Sequence, residues 1–150
     1  MALRIEDAST RHLDRMYEIE TECFDREAFT KRQIASLLSH YNSISLIARM
    51  DNEIVGFIMG MIYVDRNLLA GHILTVDVSL PYRQKGIAKK LLQEIEKIFK
   101  EKGAATSCLE VKESNIAALS LYKKFGYKKM GRLKNYYGNA HGIYFRKDLA

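Results

Sequence analysis

The chain has 150 residues, 47% of them hydrophobic, and a formal net charge of +6. We expect residues 1–150 to form a single domain, because this length can bury a core without disulfides or metals. No apolar stretch has the length of a membrane span, and the first residues resemble a strand rather than a secretory signal, which predicts a cytoplasmic protein. Cys23 and Cys108 lie far apart without metal-ligand spacing, so no metal site is expected.

The first half of the chain predicts a short strand, two helices and three antiparallel strands. Ser9 or Thr10 can cap the first helix and Thr30 the second, because their side chains accept hydrogen bonds from the free N–H groups of a helix start. Asp51 and Asn52 favour a turn between the first two of the three strands.

The third of these strands leads through a glycine-containing turn into a long amphipathic helix. Residues 73–78 are apolar and largely β-branched, and Pro81 ends the strand because proline cannot donate to a ladder. After Gly86, apolar residues recur with helical spacing. The first N–H groups of a helix lack internal partners and carry the positive end of its dipole, so this junction can bind a phosphate group. An ordinary helix cap gives the same pattern.

The last third of the chain predicts a strand, a helix and two more strands. The strand covers Thr106–Lys112, and Ser114 or Asn115 can cap the helix that follows. The final strands are Lys128–Tyr136 and His141–Lys147. Together the elements predict an α/β (α+β) fold, with a mixed, mostly antiparallel central sheet of about seven strands flanked by four helices.

Three segments resemble motifs of one enzyme family. The order R-x-x-G-x-A at residues 83–88 resembles the acetyl-CoA pyrophosphate loop of the GNAT acetyltransferases. Residues 109–127 contain L-E-V, N-x-x-A, L-Y and G-Y, an order similar to the signature of the RimI-like and N-terminal acetyltransferase branch. The K-N-Y-Y segment at residues 134–137 resembles the substrate-gripping segment of NatE-type catalytic subunits. The chain therefore resembles a RimI-like or archaeal-type Nα-acetyltransferase with NatE-like features.

The resemblance implies acetyl-CoA as cosubstrate, with its pantetheine arm inserted between two splayed central strands. These would be the strand that ends at Val78 and the strand that contains Glu110. An amide near Val76 or Asp77 would help to polarise the thioester carbonyl. The residues implied in cofactor binding are Val76, Val78, Arg83, Gln84, Lys85, Gly86, Ile87, Ala88, Asn115 and Tyr122.

Three side chains are candidates for the proton transfers. Glu110 lies in the middle of a central strand, where apolar residues are usual, and could accept the proton of the amine; alternatively it pairs with Lys112 or another base. The resemblance implies that Tyr122 protonates the departing thiolate, whereas the alternative is a core anchor beside Phe125. His72 stands where a NatE-type relative has a catalytic tyrosine, and imidazole exchanges protons near neutral pH. A surface histidine near a turn is the alternative.

The resemblance also implies two walls of a peptide slot. Phe24, Asp25 and Arg26 would form one wall, and Tyr136 and Tyr137 the other, although these tyrosines could also be ordinary strand residues. Asp25 replaces a proline found in some relatives, which leaves the preferred first residue open. Phe24 favours an apolar residue such as methionine, while Arg26 could attract an acidic one.

These features predict an enzyme that transfers the acetyl group of acetyl-CoA to the N-terminal α-amine of proteins, by direct attack in a ternary complex. The alternatives are a lysine, ribosomal-protein or small-amine acetyltransferase of the same fold, or a non-catalytic CoA-binding module. Protein N-termini are the expected partners, and a ribosome or an auxiliary subunit stays open. Neither a membrane nor a specific nucleic acid is expected, because the basic residues are scattered and form no arginine-rich stripe.

Overall fold

A seven-stranded sheet organises the chain. The computed structural model describes residues 2–149. The strands are β1 (Leu3–Asp7), β2 (Ser43–Met50), β3 (Glu53–Asp65), β4 (Leu68–Val78), β5 (Thr106–Lys112), β6 (Lys128–Tyr137) and β7 (Ala140–Asp148). The helices are α1 (Leu13–Cys23), α2 (Lys31–Ser39), α3 (Ile87–Glu101) and α4 (Ile116–Lys124). None of the helices in residues 2–149 is long and apolar enough to cross a membrane.

The strand order is β1-β2-β3-β4-β5-β7-β6, and every neighbouring pair is antiparallel except β4 and β5. Helices cover both faces of the sheet, so that its central strands are apolar on both sides. On β3, Phe57 and Met59 pack with the α1 and α2 side, whereas Val55 and Ile58 pack with the α3 side. The predicted fold class, a mostly antiparallel sheet with four flanking helices, is confirmed.

Two glycines allow α3 to lie close to the sheet. A Cβ atom on Gly71 would lie 2.3 Å from the Phe99 ring, and a Cβ atom on Gly60 would lie 2.9 Å from the same side chain. Phe99 is fully buried, so neither the ring nor the strand can move aside cheaply. This close packing fixes the C-terminal part of α3 against β3 and β4.

The central strands β4 and β5 separate along their length. They pair only through Ala70–His72 and Thr106–Cys108, although β4 continues to Val78 and β5 to Lys112. At the same level, β4 shifts its register against β3 and leaves Leu74 without a partner, which is the geometry of a β-bulge. A bulge bends its strand, and the gap between β4 and β5 opens beyond it. The predicted splay of the central strands is confirmed.

Candidate active site

A cleft of about 550 Å³ occupies the gap between β4 and β5. The two strands form its floor, and α1, the loop at residues 24–30, α4 and β6 form its sides. Successive side chains of a strand point to opposite faces, so residues two apart on either strand can face the cleft together.

Glu110 and His72 meet in this cleft. His72 Nε2 lies 2.7 Å from Glu110 Oε1, and the two side chains are 28% and 17% exposed. The register explains the meeting, because His72 pairs with Cys108 and Glu110 follows two residues later on the same face of β5. Glu110 does not pair with Lys112, whose Nζ instead lies 3.3 Å from Glu27 Oε1. A carboxylate and an imidazole in contact can accept a proton from an amine.

Tyr122 reaches the same cleft from α4. Its ring lies 5.9 Å from the Tyr127 ring and 6.2 Å from the Phe145 ring, so it also anchors the core. Burial raises the pKa of the Tyr122 hydroxyl well above its ordinary value, and the nearby Asp77 and Tyr137 raise it further. The hydroxyl is therefore protonated near neutral pH and can act only as a proton donor there.

Asn115 begins α4 and also lines the cleft. Its side-chain Oδ1 accepts a hydrogen bond from the Ala118 N–H group at 3.1 Å. This is the N-cap that the sequence predicted with Ser114 or Asn115 as candidates, and it fixes the helix that carries Tyr122.

The turn before α3 presents backbone N–H groups shortly after the end of β4, one of the two strands that form the floor of the cleft. Gln84 and Gly86 have φ angles of 61° and 81°, in the left-handed region, and a Cβ atom on Gly86 would meet nothing within 4 Å. The first helical hydrogen bond of α3 runs from Lys90 N–H to the Gly86 carbonyl at 3.1 Å. The Ile87 side chain is buried, so that this residue and Ala88 offer their backbone N–H groups. The turn therefore suits the diphosphate of a bound CoA.

Arg83 points away from that turn. Its Nε donates to the Val78 carbonyl at 3.0 Å, and its Nη2 donates to Cys23 Sγ at 3.2 Å. The guanidinium thus ties the end of β4 to the end of α1. Burial raises the pKa of the Cys23 thiol to about 11, which makes it unreactive near neutral pH. Val76, by contrast, lines the cleft directly, whereas the exposed Lys85 does not.

The predicted peptide walls are placed unequally. Phe24 lines the cleft, but Asp25 and Arg26 are exposed and lie outside its lining. Tyr136 and Tyr137 line the opposite side, with ring centroids 4.9 Å apart at an interplanar angle of 86°. Burial raises the pKa of the Tyr137 hydroxyl, and the nearby Tyr136, Glu110 and Glu27 raise it further.

A buried acidic cluster at the base of the cleft was not predicted from the sequence. Glu20 Oε2 accepts from the Phe29 N–H at 3.0 Å, and its Oε1 accepts from the Thr75 hydroxyl at 3.2 Å. The same hydroxyl contacts Asp77, which is fully buried. Burial raises the pKa of Asp77 well above its ordinary range, and the neighbouring Glu20 raises it further. The signal was available, since Asp77 is a charged residue inside an apolar strand, as Glu110 is.

Comparison with known proteins identifies the family. Residues 13–127 match the sequence model of the acetyltransferase (GNAT) family, and the chain therefore belongs to this family. GNAT enzymes use acetyl-CoA, and the predicted cosubstrate is confirmed.

Two curated relatives carry more specific names. The chain is 32% identical to the N-alpha-acetyltransferase of Sulfolobus acidocaldarius over 116 residues, which are 71% of this chain and 69% of that protein. It is 30% identical to the putative [ribosomal protein bS18]-alanine N-acetyltransferase of Bacillus subtilis over 139 residues, or 90% and 83% of the two chains. The resemblance to RimI-like and archaeal Nα-acetyltransferases is confirmed.

Solved structures agree on the fold. The structure of Ard1 from Thermoplasma volcanium superposes with a TM-score of 0.90 at 23% sequence identity, and the match covers 100% of this chain and 99% of that one. At this identity the likeness shows that the two proteins share the GNAT fold.

Proposed function

We propose that this chain transfers the acetyl group of acetyl-CoA to the N-terminal α-amine of proteins, with Glu110 and His72 accepting the proton of the amine. The observation that carries the proposal is the 2.7 Å contact between these two side chains in the cleft that Tyr122 also lines. Curated relatives named N-alpha-acetyltransferase confirm the predicted class of reaction.

The N–H groups that begin α3 hold the diphosphate of the cosubstrate, and the edges of β4 and β5 hold its arm. The residues proposed for this role are Val76, Gln84, Lys85, Gly86, Ile87, Ala88 and Asn115. Bound acetyl-CoA supplies the acetyl group as a thioester. Arg83 acts indirectly, because its contact with the Val78 carbonyl fixes the start of the turn.

Glu110 accepts a proton from the α-ammonium group, directly or through a water molecule, and leaves a neutral amine that can attack the carbonyl. His72 contacts Glu110 Oε1 and orients the carboxylate toward the cleft. As the C–N bond forms and the C–S bond breaks, Tyr122 donates its proton to the departing sulfur. The proton that the nitrogen then releases passes through solvent and restores the tyrosine, while Glu110 gives up its proton to solvent. One proton is thus released per turnover, and no covalent enzyme intermediate is needed.

An α-amine acceptor also fits the shape of the cleft. Phe24 lies on one side, and Tyr136 and Tyr137 lie on the other, so that an extended peptide can enter between aromatic side chains. Protein N-termini are therefore the proposed partners. Association with a ribosome or an auxiliary subunit, the cytoplasmic location and the single domain over residues 1–150 stay predictions from the sequence.

The test is CoA release by the purified protein with acetyl-CoA and short peptides that differ at the first residue. Each peptide is paired with an Nα-blocked copy that contains an internal lysine, and one peptide begins with alanine because of the name of the Bacillus subtilis relative. We expect CoA release with the free peptides and none with their Nα-blocked copies. Turnover on the blocked lysine peptides alone would contradict the proposal in favour of a side-chain enzyme.

A further inference from the structure

An ion pair crosses the acceptor side of the cleft. Glu27 belongs to the loop between α1 and α2, and Lys112 is the last residue of β5. Lys112 Nζ lies 3.3 Å from Glu27 Oε1, and the two side chains are 34% and 21% exposed. Both residues line the cleft. The pair therefore joins the floor of the cleft to its side wall.

The charge of the cleft differs from that of the whole chain. The protein carries a net charge of +6. Among the described residues that line the cleft, however, Lys112 is the only lysine or arginine, whereas Glu20, Glu27 and Glu110 all carry carboxyl groups. Lys112 is already neutralised by Glu27, so the cleft offers no unpaired lysine or arginine to an incoming acidic side chain.

The pair also lies close to the reacting amine. Glu110 and Lys112 are two residues apart on the same face of β5, which separates their Cα atoms by roughly 7 Å. A peptide whose α-amine reaches Glu110 therefore has its first two side chains within reach of Lys112 and Glu27.

We propose that the Glu27–Lys112 ion pair determines acceptor specificity, so that the enzyme selects peptides whose first two side chains are uncharged. The inference rests on the proposed α-amine acetylation. To bind Lys112, an acidic side chain would have to displace Glu27 and leave the Glu27 carboxylate partly buried without a partner. To bind Glu27, a basic side chain would have to displace Lys112 and leave its ammonium group partly buried without a partner. An uncharged side chain leaves the pair intact.

The lining of the cleft decides between the two first-residue preferences that the sequence left open. Arg26, which could have attracted an acidic first residue, is exposed and lies outside the lining of the cleft. Phe24 lines the cleft together with the neutralised pair. An apolar or small polar first residue is the chemistry that both features favour.

The experiment measures kcat/KM for peptides with a neutral, acidic or basic residue at the first or the second position. In Glu27→Gln, Lys112 is unpaired and can bind an acidic side chain. The ratio of kcat/KM for acidic peptides to that for neutral peptides, the acidic-to-neutral ratio, therefore rises by roughly three- to tenfold, a modest gain because the site is partly exposed. In Lys112→Met the freed Glu27 raises the basic-to-neutral ratio by a similar factor. The exchange variant Glu27→Lys/Lys112→Glu restores the pair and returns both ratios to the wild-type values.

A matched control removes an ion pair elsewhere. Glu6→Gln breaks the 2.8 Å contact with Arg49 between β1 and β2, outside the cleft, and leaves both ratios unchanged. Wild-type ratios in both single variants, with activity on neutral peptides and cooperative unfolding retained, would overturn the inference and leave the proposed function standing. A wild-type protein that is inactive on every free N-terminus would overturn the proposed function itself.

Discussion

The proposed cofactor end and the proposed acceptor end of the site are built from different parts of the chain. At the cofactor end, the turn before α3 offers backbone N–H groups, and its shape depends on left-handed conformations at Gln84 and Gly86. At the acceptor end, side chains from distant segments meet, as in the 2.7 Å contact of His72 with Glu110 and the 3.3 Å contact of Lys112 with Glu27. One end depends on conformation, and the other depends on charge.

This difference determines which substitutions matter at each end. A backbone donor survives most changes of its own side chain, so only a substitution that moves the turn should weaken acetyl-CoA binding. At the proposed acceptor end, no backbone group can replace a carboxylate that accepts a proton. An isosteric change from carboxylate to amide should therefore be enough to lower the activity.

The largest effect is expected for Glu110→Gln, which keeps the shape of the side chain but removes its ability to accept a proton. We expect kcat/KM for peptides to fall by roughly 10²- to 10⁴-fold, while KM for acetyl-CoA stays unchanged. The measurement is steady-state CoA release. As a control, Glu113→Gln breaks a 2.6 Å ion pair with Arg132 outside the cleft and should retain activity. Near wild-type turnover of Glu110→Gln would end the assignment of this end to proton transfer.

A smaller effect is expected for Tyr122→Phe, which removes the proposed proton donor and keeps the buried ring. We expect kcat to fall by roughly tenfold to a hundredfold, because a thiolate can also leave without a proton. Thermal unfolding should change little, since the ring still packs against Tyr127 and Phe145.

The neighbouring Tyr127 provides the opposite control. Its buried hydroxyl donates to Glu96 at 2.8 Å and contacts Ser107 at 2.8 Å. Tyr127→Phe removes both hydrogen bonds and leaves the Ser107 hydroxyl without its side-chain partner, although Glu96 keeps its contact with Lys147. The change should cost about 1–3 kcal/mol of stability with little change in kcat. Equal losses of activity in the two variants would mean that Tyr122 serves only as a core residue.

At the cofactor end, Gly86→Ala tests the dependence on conformation. An added Cβ meets no neighbour, but its left-handed φ of 81° should cost roughly 1–2 kcal/mol. We expect the turn to shift and KM for acetyl-CoA to rise roughly tenfold, a change worth about 1.4 kcal/mol. Gly138→Ala is the matched control, since its φ is 78° with equally open surroundings in the turn between β6 and β7. It should lose similar stability and keep the acetyl-CoA KM.

The two ends also differ in how far the sequence predicted them. The turn is a local feature, so its glycine, the preceding strand and the following helix were all visible in consecutive residues. Glu110 was visible as a charge inside a central strand. Its partner His72 was proposed separately, but their contact depends on the β4–β5 register across 38 positions, which no local pattern contains.

Other parts of the site lay beyond local patterns for the same reason. The Arg83 side chain points toward Cys23 at the end of α1. This orientation could not be inferred from the R-x-x-G-x-A motif, because the motif does not contain Cys23. Glu27 lies in a loop, where no periodicity indicates which side chains face inward. Asp77 is different, because it is a charged residue inside an apolar strand, as Glu110 is, and was equally visible in the sequence.

Asp77→Asn gives the smallest expected change in activity, because this residue lies beneath the cleft rather than in its lining. Since burial and Glu20 raise the pKa of Asp77 in the folded state, folding favours its protonated form. That contribution to stability is complete below the unfolded pKa of about 4 and is lost as the pH rises through the raised folded value. The wild type should therefore lose stability over this range relative to Asp77→Asn, whereas Asp14→Asn at an exposed site should show no such trend.

Thermal unfolding at a series of pH values measures the difference in stability between Asp77→Asn and the wild type. A difference that stays constant with pH would show that the Asp77 carboxyl group is not held protonated. A difference that widens with pH would show that the Asp77 carboxyl group is held protonated in the core, a structural use of a carboxyl group that differs from the proton transfer proposed for Glu110.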